Sequence, residues 1–470
     1  MTAMRESVGD FLRGRTLLLT GATGFLGKVI VERLLRTAPE VERIYLLIRP
    51  SRLAPPERFE AEVVRSRAFD TLAAMHGDRW PRFVRDKVVP VAGDVSQPRL
   101  GLDDETHAAL TQSVDIVINS AASVAFDAPL DDALRHNTHS VQHGVEFARA
   151  CRSAALVQVS TAYVAGPRTG RIPETALSPD ISARELAAID ASVAATLEEA
   201  RAQRLGPRDV RARLVALGMQ RARDLGWHDS YTYTKALGEM TLERYRGDVP
   251  TAIIRPTIIE SSLRDPAPGW LENLNVGDPI FIEFGRGRMP DFPLARDAVF
   301  DIVPVDLVAN AALAVLPHVG DLRQRAGYYA VGSGSTNPLS GARLYDLTYE
   351  YFLRDPMVDR DGRPIPPPRW TFPSQDEFRA TVAGGVGREA DVKRLLHFAH
   401  LYGTYTNAAC IFDTTNTQQL LASLAAADRD ALDFDVRRID WRSYLQDVHL
   451  PGLRRHVLRD DQRRRAYTRE

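Results

Sequence analysis

The chain has 470 residues, which is enough for one large and one smaller domain, because single hydrophobic cores rarely grow beyond about 250 to 300 residues. Hydrophobic residues make up 44% and charged residues 26%, and a formal net charge of -1 excludes a general attraction to nucleic acid or to anionic membranes. The two cysteines, Cys151 and Cys410, exclude a disulfide scaffold and a four-cysteine zinc site.

The N-terminal stretch "MTAMRESVGDFLRGR" lacks the apolar segment of a secretory signal. No apolar run reaches the roughly 18 residues that a membrane-spanning helix needs. We therefore expect a cytoplasmic protein without a transmembrane segment, whose contact with a membrane, through its Arg-rich C-terminal tail, is peripheral at most. The sequence does not indicate an oligomeric state.

Apolar strands alternate with helices through much of the chain. The first strand covers 16–19 and is followed by a glycine-rich turn, a helix and a second strand at 41–49. Runs rich in Val, Ile and Leu predict further strands, at 87–95, 114–122, 155–164 and 250–259. Such strands, separated by helices, are typical of a parallel sheet covered on both faces. The predicted fold class is α/β, with a doubly wound parallel Rossmann sheet and a smaller, mainly helical C-terminal domain.

Two changes of composition divide the chain. At 173–226 a helical insertion rich in Ala, Glu and Arg interrupts the alternation, and insertions of this length tend to be lids or binding segments. Residues 356–375 predict a proline-stiffened linker. We predict a dinucleotide-binding Rossmann domain at 1–355 and a helical domain at 376–470.

A glycine motif stands between the first strand and the first helix. Gly21, Gly24 and Gly27 have the spacing of a dinucleotide-binding turn, in which glycines permit close approach of the backbone to a pyrophosphate and close packing of helix on strand. A purely structural turn is the alternative, because glycine-rich strings are common. The candidate cofactor contacts of this stretch are Thr20, Gly21, Thr23, Gly24, Phe25, Leu26 and Gly27.

The second strand ends in Arg49, with Arg52 close behind, where an NAD site would place an acidic residue for the ribose. A guanidinium group binds a phosphate dianion through paired hydrogen bonds, which favours NADP(H) over NAD(H). Chance placement is the alternative in so Arg-rich a chain. The ends of the following strands supply further candidate cofactor contacts, which are Asp94, Val95, Asn119, Ser120, Ala121 and Ala122.

The segment "HDSYTYTKALGEM" at 228–240 begins a helix with two tyrosines and one of only four lysines in the chain. Tyr231 and Lys235 are one turn apart and share a face, whereas Tyr233 points away. A phenol, with an unperturbed pKa near ~10, can donate its proton to a carbonyl oxygen, and a nearby ammonium makes that donation easier. Ser160 and Thr161 end an earlier strand, and only one of them can face the crevice. A packing Tyr beside an exposed Lys is the alternative.

The segments "TGATGFLGK", "IYLLIR", "VSTAYV" and "YTYTKALGE" together resemble the extended short-chain dehydrogenase/reductases and, within them, the fatty acyl-CoA reductases. The likeness continues through "DIVPVDLVANA" and into "FDTTNTQQLLASL" near the C-terminus. It covers nearly the whole chain and is weakest in the insertion and the linker. One departure is "NTHS" at 137–140, where related proteins commonly have a glycine after the Asn.

The resemblance implies a catalytic trio of Thr161, Tyr231 and Lys235, with Thr161 preferred to Ser160. It implies that NADPH is the cofactor and that the long-chain acyl thioester of coenzyme A is reduced to an aldehyde and, with a second NADPH, to a primary alcohol. An apolar channel for the acyl chain is expected in the insertion, at 269–284 or in the C-terminal domain. It adds three residues to the candidate cofactor contacts, which are Asn137, Pro256 and Thr257.

Three alternatives remain open. Another extended reductase or epimerase could use the same trio on a ketone or a nucleotide sugar, and a thioester reductase could take a carrier-bound chain or stop at the aldehyde. A non-catalytic NADP-binding protein would have no reason to keep the Tyr–Lys pair. We expect no metal site, because His136, His139 and His143 share one helical stretch without a carboxylate or cysteine at ligand spacing. Both cysteines are expected to be core residues.

Overall fold

A computed structural model describes residues 6–177, 183–274, 277–384, 389–407 and 409–458. Its strands, numbered in chain order, are β1 Thr16–Thr20, β2 Arg43–Ile48, β3 Val88–Ala92, β4 Ile116–Asn119, β5 Ala155–Val159, β6 Gly170–Ile172, β7 Thr251–Pro256, β8 Ile258–Glu260, β9 Ile302–Pro304, β10 Gly327–Val331 and β11 Cys410–Phe412. Seven of them form one parallel sheet in the order β10-β7-β5-β4-β1-β2-β3, and β6–β11 and β8–β9 are two small parallel pairs.

The direction of winding reverses at β1, which lies between β2 and β4. Leu18 pairs with Tyr45 on one side and with Val117 on the other. The carboxyl ends of β1 and β4 therefore meet, and this is the switch point at which doubly wound sheets bind ligands. The doubly wound parallel sheet predicted from the sequence is confirmed. Edge strand β10 was not predicted, because its apolar run is short and bounded by glycines.

The principal helices, numbered in the same way, are α1 Phe25–Thr37, α2 Asp104–Ser113, α3 Ser140–Ala150, α4 Ala183–Ala202, α5 Pro207–Asp224, α6 Ser230–Tyr245, α7 Asp278–Gly285, α8 Val305–Ala314, α9 Gly341–Arg354, α10 Gln375–Gly384, α11 Glu389–Thr406 and α12 Thr415–Ala422. Shorter helical segments are Val8–Leu12, Pro55–Arg58, Phe59–Val64, Arg67–Phe69, Asp70–His76, Gly77–Arg79, Trp80–Lys87, Pro98–Gly101, Leu130–Leu134, Arg135–His139, Ala162–Ala165, Leu316–Leu322, Val436–Arg438, Trp441–Ser443, Tyr444–His449, Leu450–Leu453 and Arg454–Leu458.

The two faces of the sheet pack into separate cores. In β1, Leu17 and Leu19 belong to the core that includes side chains of α1 and α8, whereas Leu18 belongs to the core that includes side chains of α2, α3 and α6. Successive side chains of a strand point to opposite faces, so both faces need apolar residues. This arrangement explains why the strands read as continuous apolar runs in the sequence.

A buried ion pair joins α6 to β7. The Arg255 guanidinium donates to both carboxylate oxygens of Glu239, at 3.0 and 2.6 Å, and both side chains are almost fully buried. The pair connects α6 to the sheet. Removal of either partner would be costly, because it would leave the charge of the other partner buried alone.

The insertion packs on the outer side of α6. Ile189 of α4 and Leu214 of α5 share a small core with Tyr233, which is completely buried. Tyr233 therefore points away from Tyr231 and Lys235, as predicted, and packs against the insertion. Residues 178–182 of the insertion lie outside the described residues.

The C-terminal part of the chain is joined to the sheet by several contacts. Tyr402 and Tyr405 of α11 lie in the same core as α1 and α8. The Glu174 carboxylate, which follows β6, accepts hydrogen bonds from the Ala330 amide of β10 at 2.6 Å and from the Thr417 hydroxyl of α12 at 2.9 Å. In the predicted linker, Trp370 donates its indole N–H to the carbonyl oxygen of Met289 at 2.9 Å. The domain boundaries at 355 and 375 stay a prediction.

Residues 459–470 of the Arg-rich tail lie outside the described residues. Within the ranges that the structure describes, no single helix has the length and apolar character to span a membrane. Helix α8 and the segment Leu316–Leu322, bent by 54°, reach that length and composition only as a pair.

Candidate active site

The glycine motif forms the turn between β1 and α1. Gly21 has a φ of +77°, which favours glycine, and a Cβ atom there would lie 2.7 Å from the Ala121 amide nitrogen. A Cβ atom on Gly27 would lie 2.1 Å from the Gly21 carbonyl oxygen, so α1 packs directly on the turn. Gly24 is the N-cap of α1. The loop thus presents backbone amides and a helix N-terminus, which suit a phosphate group.

A cleft opens beside this loop at the carboxyl ends of the strands. Nine of the predicted cofactor contacts line it, which are Gly21, Thr23, Gly24, Arg49, Asp94, Val95, Ser120, Ala121 and Ala122. Leu47, Ile48, Arg58, Gly93 and His136 also line the cleft. The structure therefore brings together the ends of β1, β2, β3 and β4 around one groove.

The basic side of the cleft differs in part from the sequence prediction. Arg49 donates a hydrogen bond to His136 Nε2 at 3.2 Å, and Arg58 donates to the Arg49 carbonyl oxygen at 2.5 Å. Arg52 is exposed and does not line the cleft. Arg58 was not predicted from the sequence, because it lies in a helical segment beyond the end of β2. His136, expected to be structural, borders the cleft beside Arg49.

Several other predicted cofactor contacts lie near the glycine loop but do not line the cleft. The Thr20 hydroxyl donates to Asn119 Oδ1 at 2.6 Å and accepts from the Ala121 amide at 3.1 Å, so it holds the ends of β1 and β4 together. The Phe25 ring stacks on Trp270 with 5.3 Å between ring centres, and Leu26 is buried in the core. The structure places these side chains around the loop and outside the cleft lining.

Asn137 is buried, and its side chain makes hydrogen bonds to the loop that follows β4. Its Oδ1 accepts from the Ser123 amide at 2.9 Å, and its Nδ2 donates to the Ser123 carbonyl oxygen at 3.0 Å and to the Thr234 hydroxyl at 3.1 Å. Gly238 of α6 provides the close approach here, since a Cβ atom on it would lie 2.3 Å from the Asn137 carbonyl oxygen. Asn137 therefore connects the loop to α6.

Helix α6 carries Tyr231 and Lys235 to the end of β5. Asp229 caps the helix, and its carboxylate accepts from the Thr232 amide at 2.7 Å. Lys235 is 4% exposed, and its ammonium donates to the Val159 carbonyl oxygen at 2.8 Å. Tyr231 is half-buried, and its phenol lies in hydrogen-bonding reach of the Thr161 hydroxyl. The three predicted residues thus meet at one strand end.

The two hydroxyl residues after β5 have different surroundings. Thr161 contacts Tyr231, and its hydroxyl donates to the Pro256 carbonyl oxygen at 3.4 Å. The Ser160 hydroxyl is buried and makes no hydrogen bond with any residue that the structure describes. This geometry favours Thr161 as the residue that faces the phenol. Thr257 is buried and donates its amide to the Val331 carbonyl oxygen at 3.0 Å, which joins it to β10.

Burial dominates the electrostatics of the phenol. It raises the pKa of Tyr231 above its ordinary value, the Asp229 carboxylate raises it further, and the Thr161 hydroxyl opposes the change. The lowering of the Tyr231 pKa that the sequence predicted from the lysine is therefore wrong, because burial dominates and the Lys235 ammonium is directed to the Val159 carbonyl. Tyr231 is therefore protonated throughout the neutral range and can act as a proton donor.

Burial also acts on the lysine. It lowers the pKa of Lys235 to about 8, and the nearby Glu239 carboxylate opposes this change. Lys235 is therefore mostly cationic at neutral pH, although the buried charge costs stability. Such a cost is typical of residues kept for function.

Aromatic side chains from distant segments surround the trio. The Tyr405 hydroxyl of α11 donates to Asp229 Oδ2 at 3.2 Å, and the Tyr163 ring meets Tyr405 edge-on at 4.7 Å. The Phe126 ring meets Tyr231 edge-on at 6.0 Å. The sequence analysis missed these residues, because aromatic residues in helices and loops usually indicate core packing.

The structure has two further cavities, one apolar and one polar. The first is apolar, and its lining includes Phe281, Phe284, Leu344 and Thr406, the residue after Tyr405. The second is a polar cleft on the other side of the glycine loop, and it is lined in part by Arg65, Arg67, Trp270, Arg455 and His456.

Comparison with known proteins identifies the family. Two family models, both described as male sterility protein, match residues 19–312 and 390–460, and the first is an NAD-binding domain. Fatty acyl-CoA reductase 2, chloroplastic, of Arabidopsis thaliana is 37% identical over 98% of this chain and 81% of its own. The chain belongs to the fatty acyl-CoA reductase family. The alcohol-forming fatty acyl-CoA reductase of Simmondsia chinensis is 32% identical over 96% of this chain and 99% of its own.

Solved structures agree with the fold of this fatty acyl-CoA reductase family member. The terminal R domain of the myxalamid biosynthetic pathway has a TM-score of 0.64 at 19% identity, covering 95% of this chain and 92% of that domain. A reductase domain of a nonribosomal peptide synthetase from Mycobacterium tuberculosis has a TM-score of 0.58 at 21% identity, covering 95% and 94%. The predicted extended short-chain dehydrogenase/reductase fold is confirmed, and the family and fold together support a nicotinamide cofactor.

The cysteines of this fatty acyl-CoA reductase family member lack the features of nucleophiles. Burial raises the pKa of the Cys151 thiol to about 12 and raises that of Cys410. An activated cysteine needs the opposite shift.

We expect Lys235→Met to stabilise the cofactor-free protein at pH 7 by about 3 kcal/mol. The pKa of Lys235 falls from 10.5 to about 8 on folding, and each unit corresponds to about 1.4 kcal/mol. The unfolded chain binds more protons between those values, so the stability of the unsubstituted protein should rise with pH there and the advantage of the variant should shrink. Urea unfolding at pH 7, 8 and 9 measures the difference. Lys393→Met, at an exposed position, is the control, and a difference independent of pH would contradict the expectation.

Proposed function

We propose that this protein uses NADPH to reduce long-chain fatty acyl-CoA to the aldehyde and then to the primary alcohol. The observation that carries the proposal is the convergence of Thr161, Tyr231 and Lys235 at the end of β5. A cleft at the glycine loop and an apolar cavity elsewhere in the chain support it. The name of the Simmondsia chinensis relative, an alcohol-forming enzyme, supports the alcohol as the final product.

The residues of the cleft fit NADPH. Gly21 and Gly27 leave room that a Cβ atom would fill, and the N-terminus of α1 offers amides to a pyrophosphate. Arg49 and Arg58 place two guanidinium groups beside the end of β2, where the 2′-phosphate that distinguishes NADPH from NADH would lie. When bound, NADPH supplies the hydride for both reduction steps.

The trio provides the proton and the oxygen contacts. The Tyr231 phenol and the Thr161 hydroxyl can both donate hydrogen bonds to the carbonyl oxygen of the thioester, which stabilises the negative charge that grows there. Tyr231 then gives its proton to this oxygen, and the resulting hemithioacetal loses the thiol of coenzyme A to leave the aldehyde. The hydroxyl proton of the hemithioacetal leaves with the thiol, so the Tyr231 phenolate takes a new proton from water. That proton completes the alcohol in the second reduction. The Lys235 ammonium stabilises the phenolate between the two proton transfers.

The apolar cavity can take the acyl chain. Phe281, Phe284 and Leu344 give it an apolar wall, and Thr406 connects it to the α11 segment that contacts Asp229. Each methylene group that leaves water contributes about 0.8 kcal/mol, so a long chain gains several kcal/mol from such a wall. This cavity includes part of the stretch 269–284, one of the three places expected from the sequence.

The polar cleft supports coenzyme A as the thiol carrier. Arg65 and Arg67 lie on one side of it and Arg455 on the other, and all three side chains are exposed. Coenzyme A carries a phosphorylated nucleotide at the end remote from the thioester, and guanidinium groups bind phosphates well.

The central test is turnover with NADPH and palmitoyl-CoA, in which NADPH oxidation, thiol release and extracted products are measured together. We expect two NADPH oxidised per thiol released, with hexadecanol as the product. Tyr231→Phe should lower kcat by about 10² to 10⁴ without loss of NADPH binding, because only the proton donor is removed. Palmitoyl-N-acetylcysteamine, which lacks the nucleotide, should have a much lower kcat/KM.

Each of the other possible results of this assay would indicate a different function. One NADPH per thiol with free aldehyde would make the protein a two-electron reductase. Equal kcat/KM for the two thioesters would favour a carrier-bound substrate. Tight NADPH binding without turnover of any thioester would revive a non-catalytic role.

The choice of cofactor can be tested at the two arginines. Arg49→Ala combined with Arg58→Ala should weaken NADPH binding by about 10-fold to 100-fold and leave NADH binding nearly unchanged, because only the 2′-phosphate loses its charge-assisted hydrogen bonds. Arg52→Ala, next to the same strand but outside the cleft, is the matched control. Equal losses for both cofactors in a titration followed by nicotinamide fluorescence would contradict the assignment.

Chain-length preference can be tested in α9. Leu344→Phe narrows the apolar cavity, so kcat/KM should fall about 10-fold for palmitoyl-CoA and little for octanoyl-CoA, since the loss of two methylene contacts is worth about 1.6 kcal/mol. Leu347→Phe is the matched control, because Leu347 is buried on the same helix and does not line the cavity. If both variants lose activity equally on both substrates, the acyl chain lies elsewhere.

A further inference from the structure

Three ligand-type side chains meet inside the protein, and none of them belongs to the candidate active site. Glu260 ends β8, Asp278 begins α7, and His449 ends the helical segment Tyr444–His449. All three side chains are 0% exposed. They come from three segments, one of which lies in the C-terminal part of the chain.

The distances suit a single cation. His449 Nε2 lies 3.5 Å from Asp278 Oδ1 and 3.9 Å from Glu260 Oε2, and one ligand atom from each residue lies within 4.8 Å of the others. A tetrahedral zinc ion with bonds of about 2.0 to 2.2 Å separates its ligand atoms by about 3.4 Å. The observed spacings approach this value, so only small side-chain shifts are needed.

The far atoms of Glu260 and His449 are held by hydrogen bonds. Ser261 Oγ lies 3.0 Å from His449 Nδ1, and the Gly277 amide donates to Glu260 Oε1 at 3.1 Å. By contrast, His449 Nε2 is buried and makes no hydrogen bond with any described residue. Orienting contacts on the far atom of each ligand are typical of metal sites.

The charges also call for a cation. Glu260 and Asp278 are two carboxylates that are completely buried beside one another. No lysine or arginine of the described chain pairs with Glu260. A divalent cation would neutralise two carboxylates that are costly to bury together.

We propose that Glu260, Asp278 and His449 bind one divalent cation, best matched by zinc, that fastens the C-terminal segment to β8 and α7. One imidazole nitrogen and two carboxylate oxygens are ligands that zinc accepts, whereas magnesium prefers oxygen alone. The Tyr444 and Phe281 rings pack against the His449 ring and keep the site dry, as in a structural centre. The free energy of binding would add to the stability of the fold.

The metal content of the full-length protein, purified without chelators, tests the proposal. We expect about one equivalent of zinc per chain by plasma mass spectrometry, and at least a 10-fold loss in Glu260→Gln and in His449→Gln. Glu283→Gln is the matched control. Glu283 lies on α7, the helix of Asp278, and it is buried and pairs with Arg394. Equal metal content in the control and in both site variants would overturn the proposal.

A second measurement uses only the unsubstituted protein, so it does not depend on whether a variant folds. Prolonged treatment with dipicolinate should lower Tm by at least about 5 °C, and added zinc should restore it. The alternative is that Glu260 and Asp278 share one proton without a metal. In that case the protein would be purified without zinc, and neither chelator nor added zinc would change Tm.

Discussion

The hydrogen bond from the Lys235 ammonium to the Val159 carbonyl oxygen is the contact on which the candidate site depends. It joins α6 to the end of β5, where Tyr231 lies within hydrogen-bonding reach of Thr161. The contact is costly, because the ammonium is buried. Neighbouring interactions offset this loss of stability. The Asp229 cap orders the first turn of α6, and the Glu239–Arg255 pair holds the next turn against β7.

The C-terminal part of the chain takes part in the site. Tyr405 donates to the cap residue Asp229, and α11 extends from there to the apolar cavity. Glu174 connects α12 to edge strand β10. The proposed cation would add a third connection, between His449 and β8. A loosened C-terminal segment would therefore change both the surroundings of Tyr231 and the wall of the cavity.

Many elements of the fold could be predicted from the sequence, because their signals are local. The glycine spacing, the apolar strands and the one-turn separation of Tyr231 and Lys235 all lie within short stretches whose geometry is set by the backbone. Strand β10 was missed because its run is short. The direction of the pKa shift of Tyr231 could not be predicted either, because it depends on how deeply the phenol is buried.

Residues that meet through packing had no sequence signal. Arg58 reaches the cleft from a helical segment after β2, and Tyr405 approaches Asp229 from 176 positions along the chain. Glu260, Asp278 and His449 show no ligand spacing, since their segments become neighbours only when the C-terminal helices pack.

The sequence by itself determined the class of chemistry: the type of sheet, the dinucleotide turn and the Tyr–Lys pair. These depend on backbone periodicity and on residue types at fixed short spacing. The tertiary structure alone decided which hydroxyl faces the phenol, which arginines line the cleft, and what encloses the apolar cavity and the buried carboxylates. The reason is physical: burial and long-range packing set the distances and the local dielectric, and neither is encoded in any short segment.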